Sequence, residues 1–159
     1  MGETVYVYDV FRHGKTAFGI SERNQLVRIT QDVMSSEVPF ALRQTIEVLV
    51  ENGNATSAEP GEIMSLAEIR KMFIFETVEV QEVMQDTHPR RKNGMHKIVT
   101  RSIMNGNEIG LYPTSIGGEI DTRYQQKGTQ ILCLPITYSR KNGDREVIAA
   151  FPEIIIPRA

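Results

Sequence analysis

The sequence predicts a single α/β domain over residues 1–159, with a central, mainly parallel sheet flanked by helices and an antiparallel C-terminal hairpin. Three observations predict it. The apolar run from Val5 to Phe11 stops at a polar cluster, Arg12-His13-Gly14-Lys15-Thr16, as a strand does when it delivers polar groups to the edge of an open α/β sheet. Next, Leu42, Ile46, Leu49 and Val50 recur at helical spacing between an N-cap candidate at Ser35-Ser36 and a stop at Gly53. Finally, the last third is rich in strand formers, and Asn142-Gly143 between two apolar runs is a strong hairpin signal. A chain of 159 residues is long enough for one domain with a proper core and short for two.

In chain order, Ala17 to Asn24 reads as loop or the start of a helix. Gln25 to Met34 reads as a short strand or as one helical turn plus a strand, and a helix over about residues 37–52 follows. Asn54 to Gly61 is a polar loop. Ser65-Leu66-Ala67-Glu68 is a capping-box pattern that opens a second helix within residues 66–85, although Phe73 to Val80 also alternates as a strand would. His96 to Met104 and Glu108 to Tyr112 flank Asn105-Gly106-Asn107 as the arms of a hairpin, and Asp121 to Gln126 fits a short helix. Ile131 to Ser139 and Arg145 to Phe151 make the C-terminal hairpin, and Glu153 to Ile156 ends the chain as a strand between two prolines. No internal repeat or low-complexity segment stands out.

Composition is that of an ordinary globular domain, 40% apolar and 24% charged with a net charge of −2. That balance gives no global electrostatic reason for a nucleic-acid or membrane partner. No apolar run reaches the roughly 20 residues of a membrane span, and Met-Gly-Glu-Thr lacks the basic-then-apolar pattern of a signal peptide, so a cytoplasmic location is expected. Cys133 sits among apolar residues and reads as a small buried hydrophobe. His13, His88 and His96 lack metal-ligand spacing, and nothing in the chain calls for a metal or another cofactor. Between His88 and Arg101 the sequence carries five Arg or Lys residues and no acid; without aromatic residues to stack bases, the stretch reads as a solvated basic loop or hairpin.

The cluster Arg12 to Thr16 is the candidate site. Arginine, histidine and glycine side by side suit phosphate chemistry, offering a fork of donors, a ring nitrogen and an unobstructed backbone. A Walker-type loop fits poorly, because Asp9 stands where its first glycine belongs. Arg12-His13-Gly14-x-Thr16 at the end of the first strand resembles the signature of the histidine phosphatase superfamily, which includes phosphoglycerate mutases. Ile20-Ser21-Glu22-Arg23-Asn24 resembles that family's next landmark, and Ser35-Ser36 with Ala41, Gln44, Thr45, Ile46 and Glu47 resembles the one after it. Gly117-Gly118-Glu119 and Gln130 to Leu134 resemble later segments. The resemblance implies that His13 is the nucleophile that carries a phosphoryl group and that Arg12 neutralises the phosphate oxygens. It also implies that Gly14 and Thr16 shape the substrate pocket, that Arg43 serves as second arginine where the family position is Phe40, and that Glu68 or Glu76 is the general acid. No second histidine follows the strand at 130–134, so a divergent, catalytically impaired member is implied. Its ligand would be a small phosphorylated molecule or a phosphoprotein. The alternative is a non-enzymatic α+β interaction or assembly protein, of the kind phages and viruses encode.

Overall fold

The computed structural model describes residues 2–11, 14–85, 96–112, 122–139, 143 and 145–156. The chain divides into two compact units, Met1–Ile74 and Phe75–Ala159. Each is a closed five-stranded β-barrel.

In the first unit β1 (Glu3–Phe11), β2 (Thr16–Ser21) and β3 (Leu26–Thr30) form an antiparallel meander, and β4 (Gln44–Glu51) and β5 (Asn54–Ile63) form a hairpin. The barrel closes in the order β1-β2-β3-β5-β4. β4 returns antiparallel to β1, and β5 meets β3 in parallel through one register pair, Arg28 with Asn54. Val5, Val7, Val27, Ile29, Ile46 and Val48 point inward, and Phe40, from the segment between β3 and β4, is buried with them. A β-bulge between Val7 and Asp9 inserts one extra residue in β1, so Tyr8 and Asp9 together oppose Phe18 of β2. After β5 a short helix, α1 (Leu66–Met72), starts at the expected capping box. The Ser65 hydroxyl accepts from the Glu68 N–H and donates to the Glu68 carboxylate.

The second unit repeats this architecture. β6 (Glu76–Gln85), β7 (His96–Ser102), β8 (Glu108–Leu111), β9 (Gln130–Ser139) and β10 (Arg145–Ile156) close in the order β6-β7-β8-β10-β9. The parallel contact is again one pair, Ile148 with Gly110. Val78, Val80, Ile98, Ile109, Leu111, Ile131 and Cys133 fill its core. In both units a 3₁₀ turn lies between the third and fourth strands, Gln31–Val33 and Thr122–Gln125.

The α/β expectation is therefore corrected: the described strands pair almost entirely antiparallel, with one short α-helix and parallel pairing limited to Arg28 with Asn54, Ile148 with Gly110 and the isolated bridge of Met34 with Ala58. Where a helix is expected over 37–52 the chain runs irregularly to Arg43 and then forms the strand β4. Inward Ile46 and Val48 alternate with outward Glu47 and Leu49, and the β-branched Thr45, Ile46, Val48 and Val50 favour the pleat; the spacing of Leu42, Ile46 and Leu49 fits a helix only by coincidence. Gly53 is not a helix stop either. Asn52 (φ 53°) and Gly53 (φ 78°) are the two left-handed residues of the tight turn joining β4 to β5. Ala17 to Asn24, expected as loop or helix, is mostly β2. The absence of a repeat is also corrected, because Glu3-Thr4-Val5, Val7 and Val10 recur as Glu76-Thr77-Val78, Val80 and Val83 at matching positions of β1 and β6. Among the described residues no helix is long and apolar enough to cross a membrane.

Candidate functional site

The phosphate pocket expected around Arg12 belongs to an α/β fold, which this chain does not have. Arg12 and His13 lie outside the described residues, as do His88 and the segment Gly117–Glu119. Gly14 lies in the turn between β1 and β2 with φ 81°, and its carbonyl accepts from the Phe40 N–H at 3.2 Å. Thr16 is buried at the head of β2, between Phe11 and Thr30 on the flanking strands. Arg43 is a strut: its backbone N–H donates to the Val7 carbonyl at 2.8 Å, and its Nε donates to the Met64 carbonyl at 3.0 Å. Phe40, at the position aligned with the family's second arginine, is a barrel core residue. Glu68 is used in the helix cap, and Glu76 accepts from the Ser102 hydroxyl at 2.8 Å. The histidine phosphatase resemblance is thus a chance match of short motifs on a different fold, and the phosphatase function drawn from it is withdrawn.

Another cluster does assemble, on the outer surface of the first barrel. Phe18 pairs laterally with Arg28 on β3, so the two side chains stand next to one another on the same face. The bulge in β1 brings Tyr8 alongside, its ring stacked on Phe18 at 6.5 Å between centroids with 25° between planes. Phe18 and Arg28 are half-buried, and Tyr8 beside them is 3% exposed. The Arg28 backbone N–H donates to the Gly53 carbonyl, tying the row to the β4–β5 turn. Lys15, next to β2, and Arg23, in the β2–β3 turn, are exposed. Among the described residues the side chains of Lys15, Arg23 and Arg28 make no hydrogen bond or ion pair. Asp9 lies across β2 from Arg28, so an anionic ligand is favoured on the β3 side of the row.

The neighbouring row, Tyr6, Ile20 and Leu26, is closed. Tyr6 packs edge-on against Phe73 with ring centroids 5.8 Å apart and donates to Glu22 at 2.9 Å. Burial, with the bond to Glu22 adding to it, pushes the Tyr6 hydroxyl up to about 12. Neither Phe18 nor Arg28 was singled out from sequence. The available signal was an aromatic and an arginine at outward positions of two short alternating segments joined by the turn at Asn24, whose φ of 62° is the left-handed value asparagine tolerates.

No family model and no curated protein matches the chain. Among solved structures, the chain aligns over 100% of its length with one described as drosophila Unr CSD456, at 7% identity and a TM-score of 0.38, and spans 63% of that chain. It also aligns over 98% of its length with 92% of a structure described as "Structural mimicry for functional antagonism", at 14% identity and a TM-score of 0.29. At these values the fold rests on the strand order and register of the chain itself.

Proposed function

We propose that this is a non-catalytic binding protein whose first barrel holds single-stranded nucleic acid across the outer face of β1, β2 and β3. The observation that carries the reading is the Phe18–Arg28 pair with Tyr8 stacked beside it. A partly exposed ring offers a base an edge or face to stack on, and the adjacent unpaired guanidinium takes the phosphate of the same nucleotide. Strand order supports it in a general way: a five-stranded barrel closed as β1-β2-β3-β5-β4 is the OB arrangement, which commonly uses the face of its second and third strands for oligonucleotides. Local charge supports it as well. The net charge of −2 gave no reason to expect nucleic acid, yet between residues 12 and 28 the sequence sets Arg12, Lys15, Arg23 and Arg28 against one acid, Glu22.

The test is fluorescence anisotropy with a fluorescein-labelled oligothymidylate of roughly a dozen nucleotides, near the site size of one such barrel. If Lys15, Arg23 and Arg28 each meet a phosphate, log K should fall against log salt with a slope of about −2. Phe18→Ala should weaken binding by about 1–3 kcal/mol, the range for loss of one stacked base. Absence of binding at ~100 µM protein in low salt, where even weak non-specific binders register, would reject the reading.

A further inference from the structure

The two barrels match residue for residue across their first three strands. Val5 opposite Ser21 corresponds to Val78 opposite Ser102, and Val10 opposite Ala17 to Val83 opposite Ile98. Both first strands skip one residue at the same place, between Val7 and Asp9 and between Val80 and Glu82. Phe18 opposite Arg28 corresponds to Val99 opposite Gly110, and the same third-strand residue makes the parallel closure in each unit. The bulge and the closure point are shared in register, and the sequence adds the repeated Glu-Thr-Val, Val and Val at the same positions of the two first strands.

We infer that the chain is two copies of one barrel unit, and that only the first copy keeps the aromatic and arginine row that holds nucleic acid; this rests on the reading proposed above. In the second copy Gln81 stands for Tyr8, Val99 for Phe18 and Gly110 for Arg28, so the row holds neither a ring nor a cation. The space above Gly110 is filled. Lys97 Nζ lies 3.3 Å from Glu146 and 3.8 Å from Glu108, and the Tyr112 hydroxyl donates to the same Glu146. A Cβ on Gly110 would stand 3.0 Å from both Glu146 Oε1 and Lys97 Cε, so nothing larger than glycine fits without moving them. The adjacent row is Glu79, Arg101 and Glu108, where the first copy has Tyr6, Ile20 and Leu26. On this face four acids, Glu79, Glu82, Glu108 and Glu146, stand against two cations, Lys97 and Arg101, so phosphate is disfavoured where the first copy attracts it. One feature of the sequence points the other way: Arg90, Arg91 and Lys92 fall between β6 and β7.

The full chain is titrated with the same labelled oligothymidylate at concentrations above the dissociation constant, so that the end point reads stoichiometry. One oligonucleotide per chain is expected. Binding should weaken roughly 5- to 150-fold in Phe18→Ala. It should be unchanged in Val99→Ala, with far-UV circular dichroism confirming that both variants are folded. Two oligonucleotides per chain would overturn the inference while leaving the first site standing. So would binding that survives Phe18→Ala with Arg28→Ala and disappears when Arg90, Arg91 and Lys92 are all changed to Ala. No binding by the wild-type chain would reject the site and the inference together.

Discussion

Tyr6 and Cys133 show how burial decides what a titratable side chain does. The Tyr6 hydroxyl is neutral in the folded protein up to about pH 12, whereas in the unfolded chain it ionises near its ordinary value of 10. Folding therefore holds a proton that the unfolded state gives up, and stability should fall as pH rises through the window from 10 to 12. Urea midpoints measured from pH 8 to 11.5 should hold level and then drop; Tyr6→Phe should remove much of that drop, and an equal drop in the variant would contradict the assignment. Cys133 was expected from its apolar neighbours to be a core residue, and it is fully buried. Burial, with Glu76 adding to it, pushes its thiol up to about 12, so at pH 8 it is a protonated thiol shielded from reagents. Titration with a chromogenic disulfide reagent should show no reaction in the native protein and one thiol in denaturant. Fast native labelling would mean that the second barrel opens. Phe18 and Arg28 were harder to find, because two residues that matter as a lateral pair are ten apart in the chain and their adjacency exists only once the register is known.

At the scale of elements, turn chemistry was legible where apolar runs alternated clearly and was misread where they did not. The capping box at Ser65 and the hairpin at Asn105-Gly106-Asn107 form as the sequence implies. Residues 42–53 misled because Leu42, Ile46, Leu49 and Val50 satisfy a helical period while Ile46, Val48 and Val50 satisfy a strand period. Asn52-Gly53, a strong hairpin signal, was read as a helix stop. Two substitutions test element-level claims. Ser65→Ala removes the cap of α1 and should cost about 1 kcal/mol. Gly110→Ala forces its methyl group into the Lys97–Glu146–Tyr112 cluster at the closure of the second barrel, and should cost about 1–3 kcal/mol, the range for overpacking. Both are read from thermal or urea unfolding; an unaltered midpoint for Gly110→Ala would mean that the cluster yields freely.

At the scale of the whole molecule, the repeat is faint in the sequence and plain in the strand register. Glu3-Thr4-Val5 and Glu76-Thr77-Val78 are the clearest shared stretch, and β2 and β7 share little beyond their final serine, so the duplication lives in the register more than in the letters. Each copy has its own buried core, centred on Val5, Val27 and Ile46 in one and on Val78, Ile109 and Ile131 in the other. Residues 1–74 and 75–159, expressed separately, should therefore each show a β-type circular dichroism spectrum and a cooperative unfolding transition. The measurement that bears most directly on function is amide and side-chain NMR of the full chain titrated with unlabelled oligothymidylate. Shifts confined to Tyr8, Phe18, Arg28 and their neighbours on β2 and β3 are the expected result; shifts centred on β6, β7 and β8, or none at all, would contradict it.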